Sequence, residues 1–332
     1  MRAMVLSKQG PLGENSLVLS SIPLPEPGTE EIRIKVAACG VCRTDLHIVE
    51  GDLELPRSPL IPGHQVVGTV DQVGKNVTLF NKGDLVGVPW HRSSCTECEF
   101  CIQGFENLCD SARFNGYHAN GGFAEYMTAP ADFIFPIPIG FPMIQAAPLL
   151  CAGIIGFRAL RLSNIKEGGI LGLYGFGASA HVTIQIARHW GIKVYVFTRS
   201  REHRKYAEKL GAAWTGASTD SPPSKTDSSI IFAPAGPLIP VALRVLRKGG
   251  TLALAGIYMS PVPEMSYELL YGERNIKSVA NSTREDARGL LKLAAEIPIV
   301  TDVKIFPLIK ANEALLRLKR SGINGSAVLK IG

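Results

Sequence analysis

Apolar and polar positions change rhythm once along the chain, near Pro148. Before that point the repeat is short. Glu31-Ile-Arg-Ile-Lys-Val-Ala alternates with period two, and Gly68-Thr-Val-Asp-Gln-Val does so before stopping at Gly74. Pro23, Pro25, Pro27, Pro56, Pro59 and Pro62 punctuate the same region. The pattern predicts a strand-rich, partly irregular domain. The apolar run from Phe133 to Pro142 is broken by Pro136, Pro138 and Gly140, so it reads as an irregular connector. Beyond Pro148 strands alternate with helices. A strand over 170–174 leads through glycines to a helix over 178–189, with Val182, Ile186 and His189 on one face and Gly191 at its end. A strand over 193–197, a helix over 201–210, a strand over 229–233, a helix over 238–246 and a strand over 250–257 follow. That succession predicts an α/β region with a parallel, doubly wound sheet. The end is mixed again: a capping box Ser282-Thr-Arg-Glu285 opens a helix to Glu296. A strand over 303–308, a helix over 310–320 and a strand over 327–331 close the chain.

With 332 residues, 46% of them hydrophobic, the chain has the material for two domains and is not disordered. A net charge of +6, spread along the sequence, suits an anionic small molecule and gives no basic block for nucleic acid. No stretch reaches the roughly 18 apolar residues of a membrane span. The first residues, Met1 to Lys8, form no apolar signal segment. The expectation is a cytoplasmic protein.

Four cysteines, Cys95, Cys98, Cys101 and Cys109, crowd into fifteen residues. Four thiolates closing round one ion are what a structural zinc site prefers. Two disulfides are the alternative, which suits a short secreted chain better than this one. Seven cysteines in all leave three to explain.

Gly172-Leu-Tyr-Gly175-Phe-Gly177 lies between strand and helix, where a dinucleotide pyrophosphate meets free helix N–H groups. Read as Gly-x-Gly-x-x-Gly, Gly172 and Gly177 take the outer places and Tyr174 stands where the middle glycine belongs, with Gly175 one residue late. A purely structural turn is the alternative. The next strand ends Thr198-Arg199-Ser200, with no acidic residue for a ribose 2′-hydroxyl. A hydroxyl, an arginine and a serine fit a 2′-phosphate, which favours NADP(H) over NAD(H). An ordinary basic helix start is the bland reading.

Three further segments complete a pattern: Cys39-Gly-Val-Cys42-Arg43-Thr44-Asp45-Leu-His47, Pro62-Gly-His64-Gln65 and Leu149-Leu-Cys151-Ala-Gly. Together with the four-cysteine lobe they resemble the zinc-dependent medium-chain alcohol dehydrogenases, over essentially the whole chain and in the same order. The resemblance implies a GroES-like catalytic domain from 1–150 and 282–332, carrying a structural zinc lobe at 91–112. A Rossmann dinucleotide-binding domain would fill 151–281. It implies a catalytic zinc on Cys42, His64 and Cys151, making two Zn2+ per chain, and leaves Cys39 as a buried bystander. Two thiolates and an imidazole do make an open three-ligand site. Thr44 and His47 are implied as the proton relay, Arg43 as a pyrophosphate contact, and Asp45 as the carboxylate orienting His64. Leu53 and Trp90 match substrate-pocket positions, and a tryptophan there favours primary or slim secondary alcohols and their aldehydes. A threonine cap, a surface histidine or arginine, a turn aspartate and a core tryptophan are the bland alternatives.

Two positions depart from the family pattern. Gln65 stands where it has a glutamate, and Ser326 where many members have the arginine that pairs with it. Replacing both charged partners by neutral groups avoids a lone buried charge. The expected activity is reversible hydride transfer between an alcohol and a nicotinamide cofactor, in a homodimer or homotetramer. A zinc-free quinone or enone reductase of the same superfamily and a non-enzymatic zinc-lobed binding protein are the rival readings.

Overall fold

The computed structural model describes residues 1–332 and divides them into two compact units, 1–151 with 283–332, and 152–282. The first is built round strand Glu31–Val41, whose buried alternate residues give the period-two signal. One edge of this strand pairs antiparallel with Gln65–Val73; the other pairs first with Tyr126–Pro130 and then with Ser326–Lys330. Leu85–Val88, Phe135–Pro136 and Val303–Pro307 complete a seven-stranded sheet, with Val303–Pro307 and Ser326–Lys330 as its parallel pair. The C-terminal residues are thereby stitched to the middle of the N-terminal sheet. Asn312 reinforces the stitch: its side chain accepts from Leu17 N–H at 2.9 Å and donates to the carbonyls of Glu14 and Leu17.

The second unit is a six-stranded sheet with every neighbouring pair parallel. Its spatial order is Trp214–Gly216, Lys193–Phe197, Ile170–Tyr174, Thr226–Ile231, Leu246–Leu254 and Asn275–Ser278. In sequence terms this is 3-2-1-4-5-6, with the order reversing beside Ile170–Tyr174, the place where doubly wound sheets bind nucleotides. Helix Ala178–His189 follows that central strand. No single helix in the chain is long and apolar enough to cross a membrane.

Local differences from the sequence expectations have identifiable causes. The capping box belongs to Thr283 and Asp286, not Ser282 and Glu285. Thr283 Oγ1 accepts from Asp286 N–H, and the Asp286 carboxylate accepts from Thr283 N–H at 3.0 Å. Both residues are buried, and burial selects the pair that leaves no polar atom unpaired. The strands expected to start at 229 and 250 start at Thr226 and Leu246. Polar Asp227 and Ser228 hid that first beginning, although Ser228 is buried. A helix over Arg43–Glu50 was not expected: it is short and follows the long strand after one residue.

His181 lies buried on helix Ala178–His189, against Phe176 and Tyr206 with both ring-centroid separations 4.7 Å. Burial first, and the neighbouring His203 second, depress its pKa from 6.5 to about 4. The unfolded chain therefore binds a proton here that the folded chain refuses between those values. Stability supplied by the neutral ring is present above pH 6.5 and lost as pH falls towards 4, by up to about 3 kcal/mol. A series of urea melts should show this decline, and His181→Gln should flatten it.

Candidate functional site

Strand pairing brings the first two site residues together. Gly40 lies opposite Gln65 in the antiparallel register. The chain therefore leaves one strand at Cys42 beside the point where His64 leads into the next. Cys42 Sγ stands 3.2 Å from His64 Nε2. The third residue arrives from the single turn Ala147–Leu150. Leu150 and Ile137 pack over Gly87, where a Cβ would come within 2.9 Å of either side chain. That close approach seats the turn on strand Leu85–Val88 and delivers Cys151. The ligand atoms of Cys42, His64 and Cys151 all lie within 4.8 Å of one another.

Asp45 organises this cluster. It is fully buried at the third position of helix Arg43–Glu50, whose N-cap is Cys42. Its carboxylate accepts from Cys42 N–H at 2.9 Å and from Gly63 N–H at 3.2 Å, and Oδ1 lies 3.2 Å from His64 Nδ1. With Nδ1 facing a carboxylate, Nε2 is the nitrogen turned towards the two sulfurs. Burial opposes the His64 imidazolium, but Asp45 and Cys42 outweigh it and raise the pKa to about 10. The Cys151 thiol and burial push the Cys42 thiol well up. Protons thus occupy places that suit a cation. Two thiolates and a neutral imidazole converging in this way fit zinc in a three-ligand site. Cys39 points elsewhere: it is fully buried in the core, where its sulfur would meet a Cβ at Gly63 or Gly122.

The lobe closes at its base through strands His91–Ser93 and Arg113–Phe114. Inside it Cys95 Sγ lies 3.5 Å from Cys109 Sγ and 3.8 Å from Cys101 Sγ, with all four sulfurs within 4.8 Å. Four sulfurs bound to one zinc stand about 3.8 Å apart, whereas a disulfide needs about 2 Å. The cysteines are free, and their spacing fits the metal. Backbone N–H groups of Glu97 and Cys98 aimed at Cys95 lower its pKa to about 6. Cys98, though helped by a Cys101 N–H, is pushed up to about 12 by burial and the surrounding thiols. Glu106 ties the lobe down by accepting from Arg284 N–H at 2.8 Å.

Thr44 and His47 occupy positions i and i+3 of helix Arg43–Glu50 and share a face. His47 Nδ1 lies 2.7 Å from Asp52 Oδ2. Sequence reasoning missed Asp52, since an acidic residue in a Gly-Asp turn carries no signal of its own. Arg43 is exposed on the same helix. The Trp90 and His64 rings meet edge to face with centroids 4.8 Å apart, and Trp90 stacks on Phe114 at 4.8 Å and on Tyr117 at 6.0 Å. Leu53 packs against the same core as Trp90. Gln65 is buried with its side chain over Gly40, where a Cβ would stand 2.8 Å from the amide. Ser326 opens the strand on the other side of Gly40.

In the second unit the geometry corrects the frame of the glycine fingerprint. Gly172 is buried in mid-strand, and a Cβ there would stand 2.7 Å from Ser229 Oγ, so sheet packing requires it. Gly175 takes the tight turn at φ +87°. Gly177 is the helix N-cap and a Cβ there would meet nothing within 4 Å. Ala180 is fully buried. Gly-x-Gly-x-x-Gly/Ala calls for a turn, an open approach and a small packed residue, and the geometry at Gly175, Gly177 and Ala180 is compatible with those three. Thr198 is buried, its carbonyl held by Arg204 Nε at 2.9 Å. Arg199 is exposed, and Ser200 caps helix Arg201–Lys209 by accepting from His203 N–H.

The sequence boundaries of the units shift by one residue at two places. Cys151 groups with the first unit and Ser282 with the second. The Cys151 sulfur sits beside Cys42 and His64, and Thr283 begins the helix tied to Glu106.

A family model for the alcohol dehydrogenase GroES-like domain matches residues 28–139, and one for the zinc-binding dehydrogenases matches 180–296. The chain is 44% identical over 337 residues to a probable alcohol dehydrogenase of Mycobacterium tuberculosis, covering 100% of this chain and 97% of the relative. It is 35% identical to an alcohol dehydrogenase of Geobacillus stearothermophilus, with 96% of each chain covered. The solved structure of a cinnamyl alcohol dehydrogenase from Sorghum bicolor superposes with a TM-score of 0.90 at 27% identity, over 99% of this chain and 97% of that one.

The corrected frame separates two glycines. Gly172→Ala should destabilise the protein by about 1–3 kcal/mol in denaturant melts, because its methyl has no room. Gly177→Ala should change stability by less than about 1 kcal/mol, yet weaken dinucleotide binding at least about tenfold in fluorescence titrations, because its methyl enters the pyrophosphate approach.

Proposed function

This chain belongs to the zinc-dependent medium-chain alcohol dehydrogenases, and from that premise we propose that it catalyses reversible hydride transfer between a primary or slim secondary alcohol and NADP(H). The observation that carries the reading is the convergence of Cys42, His64 and Cys151 beside a helix bearing Thr44 and His47. Membership sets aside the non-enzymatic binding protein. The three convergent ligands weigh against a zinc-free quinone or enone reductase.

Cys42, His64 and Cys151 would hold the catalytic zinc, and the four lobe cysteines a structural one. Bound zinc supplies Lewis acidity at the substrate oxygen, which favours loss of the hydroxyl proton. The nicotinamide supplies the hydride acceptor. The remaining tasks fall to the chain. Asp45 fixes the His64 ring through Nδ1. The Thr44 hydroxyl takes up the substrate proton and passes it towards His47. Because the Asp52 carboxylate accepts from His47 Nδ1–H, Nε2 is the unprotonated nitrogen, the one that takes that proton on towards solvent. Trp90, held rigid by stacking on Phe114, narrows the pocket together with Leu53. A pocket narrowed in that way would favour slender alcohols and aldehydes, and the relatives named for alcohols and cinnamyl alcohols support a carbinol substrate.

For the cofactor, the Gly175–Ala180 turn and the start of helix Ala178–His189 offer N–H groups to the pyrophosphate. Thr198, Arg199 and Ser200 supply cation and hydroxyls but no carboxylate, which supports a 2′-phosphate. Strand Asn275–Ser278 is an exposed sheet edge near exposed Tyr267 and Tyr271, which supports pairing between copies in a dimer or tetramer. Seven unbridged cysteines accord with a cytoplasmic, reducing environment.

Elemental analysis of the purified protein should find two zinc ions per chain, one for each cluster. Cys42→Ser should lose one with activity, while Cys98→Ser should lose the other with a fall in melting temperature. Zinc-loaded protein that oxidises neither NADPH nor NADH with benzaldehyde or short aldehydes would refute the proposed reaction. Arg199→Ala should raise the KM for NADPH about tenfold or more while changing that for NADH less than about twofold, because one charge-assisted phosphate contact is removed. Equal changes for both cofactors would refute the 2′-phosphate assignment.

A further inference from the structure

Between helix Arg43–Glu50 and the isolated bridge at Leu60 the chain has no regular structure, yet it carries Asp52 and Leu53. Segments of that kind move unless their backbone groups are anchored. The N–H groups of Gly51 and Leu53 donate to His47 O, and one side chain adds three contacts from outside. The Gln9 amide donates through Nε2 to Ile48 O and to Leu53 O, both at 2.6 Å, and its Oε1 accepts from Leu55 N–H at 3.2 Å. Ile48 O belongs to the last turn of the helix, where carbonyls lack intrahelical donors. Gly10 N–H satisfies the next one, Val49 O, at 3.1 Å. Gln9 and Gly10 thus finish the helix from outside, while Gln9 also grips the loop on the far side of Asp52. A second tie, Tyr117 Oη–H to Glu54 O at 2.7 Å, joins the loop to the Trp90 stack.

We propose that Gln9 is a positioning residue for the His47–Asp52 pair. It holds helix and loop at the separation that keeps Asp52 on Nδ1 and so leaves Nε2 as the proton-accepting nitrogen. A primary amide is needed because the task requires two donors and one acceptor on one flat group. Glutamine is the longer of the two residues that carry one. A glutamate would keep the shape and the acceptor but turn oxygens towards two carbonyls. A methionine would keep the bulk and supply neither donor.

The inference rests on His47 being the proton relay, and its test separates the two. Imidazole-labelled, zinc-loaded wild-type protein should show a protected His47 Nδ1–H resonance in long-range nitrogen–proton spectra. Gln9→Glu and Gln9→Met should each abolish that protection and lower kcat about tenfold, as loss of a group that orients a site residue does, with KM altered less than about twofold. In a His47→Ala background either substitution should lower kcat by less than about twofold further, because the two residues act as one unit. Retention of the protected resonance in both variants, or an equal loss of kcat with and without His47, would overturn the role of Gln9. If His47→Ala alone left kcat unchanged, the relay reading would fall, and the resonance would still decide for or against Gln9.

Discussion

The Asp45 carboxylate is the constraint from which the site geometry follows. It is wholly buried, so its charge requires partners. It finds them in the N–H groups of Cys42 and Gly63 and in the His64 ring. Those contacts join the end of one strand, the first turn of a helix and the loop before the next strand. Each bond to the carboxylate therefore has two effects. Capping helix Arg43–Glu50 places Thr44 and His47, and holding Gly63 and the His64 ring places Nε2 beside the Cys42 sulfur. An alanine at position 45 would leave the helix start uncapped and the imidazole without its acceptor, so local folding and site geometry would fail together.

The thiols show the same economy. Cys42 is raised by its neighbours and by burial, and in the lobe Cys95 is held low while Cys98 is driven high. Sulfurs brought within 4.8 Å of one another repel as thiolates, and protons relieve the repulsion when no cation does. Each cluster is thus built at some cost to the protein alone, and a divalent ion converts that cost into binding energy that also stabilises the fold. The Glu106–Arg284 contact shows why the lobe matters beyond itself: it fixes the N-terminus of helix Arg284–Glu296, next to the Thr283 capping box.

Much of this was legible in the sequence because it is local. The 178–189 helix and the strands over 170–174 and 193–197 follow from periodicity alone, and the lobe from cysteine spacing. The family pattern named Cys42, His64 and Cys151 for one site, and the fold brings all three together. What escaped depends on three dimensions. The frame Gly175, Gly177, Ala180 was hidden because Gly172 imitates a fingerprint glycine while serving the packing against Ser229. The capping box moved by one residue because two adjacent windows both read as boxes and only burial distinguishes them. Asp52 and Gln9 could not be seen, since a polar residue in a loop has no pattern until its partner is placed.

Gln65 shows how packing and charge combine at one position. Its side chain lies across Gly40, and any Cβ at position 40 would press on the amide. The glycine in Cys39-Gly-Val-Cys42 is therefore tied to the residue that follows His64. Nearby, two thiolates would neutralise a divalent ion, and Asp45 already adds one buried negative charge. A carboxylate at position 65 would add a second, and without an arginine at position 326 no cation from the neighbouring strand would answer it. An amide has nearly the same shape and no charge to bury. The combination of Gly40, Gln65 and Ser326 thus preserves the packing behind the metal residues while leaving Asp45 as the carboxylate that orients His64.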